Sequence, residues 1–142
     1  MEEVVIDASV VVKWFVVEEN REKALRIRDD YIDGKLKLSA PSLMPFEVMN
    51  AVRYAKKDMN AERLSQISES LSLYGIKLHN LKGEYAKATI RAALDNGITI
   101  YDASYVALAE HLKTIMYTAD VELVGNLIKK SKEYVRYMSE YV

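Results

Sequence analysis

Short apolar runs alternate along this chain with longer stretches of mixed polarity. Val4-Val5-Ile6 is β-branched, long enough for a buried strand, and stops at Asp7. Residues 8–17 (ASVVVKWFVV) fit neither period cleanly, because β-branched residues favour strand. Asp7 can cap a helix there, so a buried first helix is expected. Over 20–33, Ala24, Ile27 and Tyr31 share a helical stripe, with Leu25, Arg28 and Ile32 beside it, and Gly34 ends the run. Leu36-Lys37-Leu38-Ser39 alternates as a strand and runs into Pro41. Residues 42–57 predict a helix with Pro45 tolerated in its first turn. The cleanest amphipathic helix spans 60–73, capped by Asn60, lined by Leu64, Ile67 and Leu71, and ended by Gly75. Ile76-Lys77-Leu78 predicts a short strand, 82–96 an Ala-rich helix closed by Asn96-Gly97, and 100–112 a further helix. Ile115-Met116-Tyr117 predicts a strand, 120–131 a helix, and 134–138 a last strand.

Five short strands thus stand among about seven helices. Strands separated by helices imply parallel crossovers and a sheet covered on both faces. The expected fold is α/β, a single three-layer domain over residues 1–142 around a central parallel sheet. No internal repeat, low-complexity tract or linker interrupts it.

Composition narrows the chemistry. With 142 residues, 50% hydrophobic and 29% charged, the chain is neither disordered nor fibrous. Its formal charge of −1 announces no nucleic-acid binder, so any basic surface must be local. The lack of Cys excludes disulfides, thiolate zinc sites, iron–sulfur clusters and cysteine nucleophiles. Two histidines, His79 and His111, cannot make a multi-histidine metal site in one chain. Any metal must be a hard cation held by oxygen. Met1-Glu2-Glu3 is acidic where a secretory signal would be basic, and no apolar stretch reaches the ~18 residues of a membrane span. A soluble cytoplasmic protein with no membrane partner is expected.

In open parallel sheets, ligands bind outside the carboxyl ends of the strands. Asp7 directly follows the first strand, and Asp120 follows the fourth after Thr118 and Ala119. Both also precede helices, and an N-cap role would account for either alone. Asp102 fits a capping box with Thr99. Glu47 and Asn50 are the polar pair in Pro45–Val52 and share a helix face. A glutamate in such apolar surroundings needs water at an exposed edge or a positive partner. If Asp7, Glu47, Asp102 and Asp120 converge, they repel. Two unit charges ~4 Å apart repel by roughly 4 kcal/mol at an effective dielectric of 20. A divalent cation or shared protons would have to offset that repulsion. Magnesium keeps several waters and uses few carboxylates, which suits phosphodiester hydrolysis by a metal-activated water.

The segments VVIDASV (4–10), FEVMNAV (46–52), YDASYVALAE (101–110) and YTAD (117–120) occur in this order, their acids 40, 55 and 18 residues apart. Together they resemble the PIN-domain ribonucleases and, among these, the VapC-type toxins of toxin–antitoxin pairs. The resemblance spans nearly the whole chain. It implies a PIN-like sheet with an acidic pocket at the strand ends, and one or two Mg2+ or Mn2+ ions. It also implies cleavage of single-stranded or structured RNA. Asp7, Glu47, Asp102 and Asp120 match the catalytic acids, with Asp7 and Asp102 at the metal-ligand positions. Ser9, Asn50 and Thr118 match polar residues that line such pockets. Glu122 offers a further acid in the position some relatives use, or is a solvated first-turn residue. VapC-like proteins generally form homodimers and are silenced by a cognate antitoxin, so both partners are expected.

An RNA backbone needs cations beside an acidic pocket. Lys13, Arg53, Lys56 and Lys57 are candidates, and solvated charge is the plain alternative for each. The Lys129, Lys130 and Lys132 run suits a helix C-terminus instead. The Leu64/Ile67/Leu71 stripe, with Tyr54, Met59 and Tyr74 nearby, serves either an antitoxin groove or the helix's own core packing. A phosphatase of the haloacid-dehalogenase type would need Asp-x-Asp after the first strand, where Ser9 stands. A receiver would need an aspartate after the third strand, where His79-Asn80 stands. The remaining alternative is a non-toxin PIN-fold protein acting in RNA processing or as a non-catalytic binding module.

Overall fold

Successive side chains of a strand point to opposite faces. Val4, Val5 and Ile6 are nonetheless all buried, so their strand is covered on both sides. In the computed structural model, which describes residues 2–142, this strand is β1 (Glu2–Ile6), the centre of a five-stranded sheet. Across the sheet, β3 (Lys77–His79) lies beside β2 (Leu36–Pro41), followed by β1, β4 (Met116–Thr118) and β5 (Val135–Tyr137). Every neighbouring pair is parallel, as the alternation of strand and helix requires.

Eight α-helices are present among the described residues: α1 (Ala8–Phe15), α2 (Glu22–Ile32), α3 (Met44–Ala55), α4 (Ala61–Leu73), α5 (Gly83–Asn96), α6 (Ile100–Leu112), α7 (Val121–Asn126) and α8 (Lys129–Lys132). A 3-10 turn, Met138–Glu140, follows β5. α1 packs on α2, α3 and β4, whereas α6 lies on β1, β2 and β4 with α5 alongside. Residues Ala103 to Ala109 of α6 are buried without a break. Packed between the sheet and α5, this stretch is covered all round, which is why its sequence shows no polar face.

Local signals placed most ends correctly. The Asn60 side chain accepts from the Arg63 N–H at 2.9 Å, capping α4. Gly97 closes α5 in the left-handed region at φ 62°, a conformation that costs glycine nothing. Pro45 sits in the first turn of α3, where its missing N–H leaves no bond unmade.

Two expectations need correction. α1 stops at Phe15 and α2 starts at Glu22, because Val16 is extended and Asn20 is left-handed (φ 59°). The expected 120–131 helix is broken into α7 and α8, with Leu127 and Ile128 both extended between them. The Ile128 N–H there donates to Asn96 Oδ1 at 2.7 Å, a bond that an unbroken helix would not allow. Of the two roles left open for the α4 stripe, core packing is the one its burial supports: Ile67 and Leu71 are buried and Leu64 is partly covered. Trp14 is likewise core, its Nε1–H donating to the Ala24 carbonyl at 2.9 Å. Among the described residues, no helix is long and apolar enough to cross a membrane.

Candidate active site

The strand order reverses at β1, since β2 lies on one side of it and β4 on the other. Such a switch point opens a crevice at the carboxyl ends of the strands. Ile6 pairs with Tyr117, and the Asp7 N–H donates to the Tyr117 carbonyl at 3.0 Å. This register carries Asp7 and Thr118 to the same end of the sheet, although they lie far apart in sequence.

The Asp7 side chain does not cap α1, contrary to the simplest local expectation. Its backbone carbonyl accepts from the N–H groups of Val10 and Val11, while the carboxylate turns away. Oδ2 accepts from Ser9 Oγ and from Thr118 Oγ1, each at 2.7 Å. Those hydroxyls are themselves fixed: the Ala119 N–H donates to Ser9 Oγ and the Asp120 N–H to Thr118 Oγ1, both at 3.0 Å. A hydroxyl whose lone pair is engaged by the backbone presents its proton to the carboxylate. Asp7 is 9% exposed. Burial pushes its pKa up from the ordinary 3.8 to about 6; the Ser9 and Thr118 hydrogen bonds oppose the rise, and the charges of Glu47 and Asp102 add to it.

Glu47, half-buried on α3, accepts a 2.6 Å hydrogen bond at Oε1 from the Tyr105 hydroxyl. Burial raises its pKa, the Tyr105 bond lowers it, and Asp102 raises it again. Tyr105 is the residue the sequence did not reveal. It stands one turn after Asp102 on α6, is 1% exposed, and faces both Asp7 and Glu47. Burial and those two acids raise its own pKa far above the usual phenol range, so it remains a proton donor.

Asp102 lies half-buried in the first turn of α6. Its N–H donates to Thr99 Oγ1 at 3.0 Å, but the reciprocal bond of a capping box is not formed. Burial, then the charge of Asp120, raises its pKa against the lowering effect of Thr99. Asp120 is exposed and caps α7, its Oδ1 accepting from the Leu123 N–H at 3.0 Å. Asn50 is exposed on α3, and with Leu43, Phe46, Glu47 and Tyr101 it lines an open cavity of about 540 Å³.

The four acids therefore form a chain of mutual influence: Glu47 and Asp102 act on Asp7, Asp102 acts on Glu47, and Asp120 acts on Asp102. Among the described residues, no three carboxylates or imidazoles are gathered tightly enough to cage an ion unaided. The donor set nonetheless fits magnesium or manganese. It is all oxygen, its charges repel, and Mg2+ typically takes only one or two carboxylates and fills its remaining positions with water. Of the cations foreseen, Arg53 lies over the Tyr54 ring at 5.1 Å, Lys56 and Lys57 are exposed, and Lys13 is half-buried on α1. Glu122 is exposed at the start of α7. His79 and His111 sit elsewhere, on β3 and near the end of α6.

The sequence pattern of the PIN domain matches residues 4–124. The chain belongs to the PIN-domain family. This PIN-domain protein is 32% identical to Ribonuclease VapC3 of Pyrobaculum aerophilum over 123 residues, which cover 84% of this chain and 90% of the relative. Its fold is that of PAE2754 from Pyrobaculum aerophilum (TM-score 0.64, 21% identity, 97% of this chain and 90% of the other). The same fold occurs in a toxin–antitoxin complex from Klebsiella pneumoniae (TM-score 0.62, 13% identity, 84% and 88%).

Proposed function

We propose that this PIN-domain protein is a divalent-metal-dependent endoribonuclease, acting as one domain over residues 1–142. Asp7, Glu47, Asp102 and Asp120 are its catalytic acids, and Asp7 and Asp102 hold Mg2+ or Mn2+. The observation that carries this reading is the state of Asp7: a buried carboxylate, clamped by two hydroxyls, diverted from helix capping and pressed by neighbouring acids. Such an arrangement is costly in a merely structural role and useful for holding a hard cation. Bound there, the ion would supply Lewis acidity and a nucleophile at neutral pH.

The chain's own groups have separable duties. Ser9 and Thr118 fix the direction of the Asp7 carboxylate. Tyr105 holds Glu47 in place through its hydroxyl. Asn50 offers an amide to substrate at the rim beside Glu47. RNA cleavage with Mg2+ or Mn2+ should be lost in Asp7→Asn and Asp102→Asn; equal cleavage by wild type and both variants would mark a contaminant and remove the assignment.

The reading extends to a toxin of a toxin–antitoxin pair, working in the cytoplasm as a homodimer and held silent by a cognate antitoxin; the relationship to Ribonuclease VapC3 supports the ribonuclease part, and the fold shared with the toxin–antitoxin complex from Klebsiella pneumoniae supports the antitoxin. A groove between α3 and α4 suits the antitoxin chain. It is about 450 Å³, lined by Pro45, Phe46, Met49, Arg53 and Leu64 among others. Through Phe46 and Asn50 it runs into the cavity that holds Glu47.

A further inference from the structure

A further cavity, of about 160 Å³, is lined in part by Thr118. Lys13, Asn20, Thr118, Tyr137 and Ser139 supply its polar lining, and no carboxylate lines it. The Thr118 hydroxyl gives its proton to Asp7 and the Tyr137 hydroxyl gives its own to the Val121 carbonyl, so Lys13, the Asn20 amide and the Ser139 hydroxyl are the donors this lining offers a tetrahedral oxyanion. Lys13 follows Ser9 by one turn of α1, so the two share a face. Only 14% of the Lys13 side chain is exposed.

Lys13 is held by the loop between α1 and α2. Nζ donates to the Glu19 carbonyl at 3.0 Å and lies 3.7 Å from Glu18 Oε1. Arg21 Nε–H donates back to the Lys13 carbonyl at 3.1 Å, fastening the far end of the loop to the same residue. Glu18 is 41% exposed, and an ion pair open to water is weak enough for a competing anion to replace.

We propose that this cavity is a phosphate subsite for the RNA strand, in which Lys13 exchanges the Glu18 carboxylate for the backbone phosphate next to the one cleaved. The inference rests on the ribonuclease reading and adds to it. A polyanion entering a pocket of four acids needs a nearby positive charge, and Lys13 is the charged side chain lining this cavity beside Thr118. Glu18 then acts as a stand-in anion that keeps Lys13 in position between turnovers.

The test measures binding of a labelled single-stranded RNA in the Asp7→Asn background, where the strand stays intact, across a series of salt concentrations. Wild-type cleavage and the melting temperature of each variant are followed alongside. Lys13→Gln should weaken binding and lower the slope of log K against log [salt] by ~0.7, one single-strand phosphate contact. Lys13→Arg should restore the slope. Glu18→Gln should bind roughly two- to fivefold tighter at low salt, the worth of an exposed ion pair removed from competition. An unchanged slope in Lys13→Gln, with wild type still cutting RNA, overturns the subsite and leaves the nuclease reading standing. If Lys13→Gln melts early, Glu18→Gln decides alone: no gain in affinity overturns the proposal. Failure of the wild type to cut RNA in any divalent metal removes the nuclease reading, and the subsite with it.

Discussion

An aspartate that opens a helix usually spends its carboxylate on the first free N–H groups, and Asp7 gives its own to two hydroxyls instead. The energetic signature is dependence on pH. Asp7 ionises near 3.8 in an unfolded chain and near 6 in the folded one. Between those values the folded chain keeps a proton that the unfolded chain has released. Stability should therefore fall as pH rises through this window and level off above about 6. The whole displacement corresponds to about 3 kcal/mol. Asp7→Asn cannot ionise, so urea titrations at pH 4.5 and pH 7.5 should show a flatter profile and a variant more stable than wild type at the higher pH. RNA cleavage should instead be lost in acid, where protons compete with the metal ion for the Asp7 carboxylate. At this scale the four acid positions stood out because acids at strand ends and helix starts contrast with an apolar background. Tyr105 was not, because an aromatic in a buried helix carries the same pattern whether it packs or donates a hydrogen bond.

Elements were legible where a local signal existed and illegible where a distant residue decided. Gly97, Asn60 and Pro45 each set a boundary from within their own neighbourhood. The break between α7 and α8 is different: Leu123, Val124 and Leu127 continue a helical stripe, and nothing local forbids one helix. What decides is Asn96, at the end of α5. Its Nδ2–H group donates to the Ala92 carbonyl and to Ser131 Oγ, both at 2.9 Å, while Oδ1 receives the Ile128 N–H. Asn96→Ala should cost about 1–3 kcal/mol by leaving those partners unmet. Hydrogen exchange should show the loss concentrated at residues 127–132, with β1 protected as before.

For the molecule as a whole, alternating strand and helix foretold a parallel sheet, but not that β4 would return to the far side of β1. That choice is made by long-range packing, since Val5 and Ile6 must be covered on both faces and Met116 is fully buried beside them. Metal binding should be visible at the same scale. A ligand that binds only the folded chain adds about 2.7 kcal/mol at a hundredfold excess over Kd. For a chain of this size that is a rise of roughly 5–10 °C in melting temperature. Magnesium or manganese should produce this rise in wild type and not in the Asp7→Asn, Asp102→Asn double variant.

The central place of β1 also sets a timetable for synthesis. Asp7 is synthesised well before Thr118, which supplies one of the two hydroxyls that clamp it. A nascent polypeptide that has reached only β3 can assemble half the sheet but cannot complete the clamp. Whatever this pocket acts upon, the nascent protein stays unarmed until translation has passed β4.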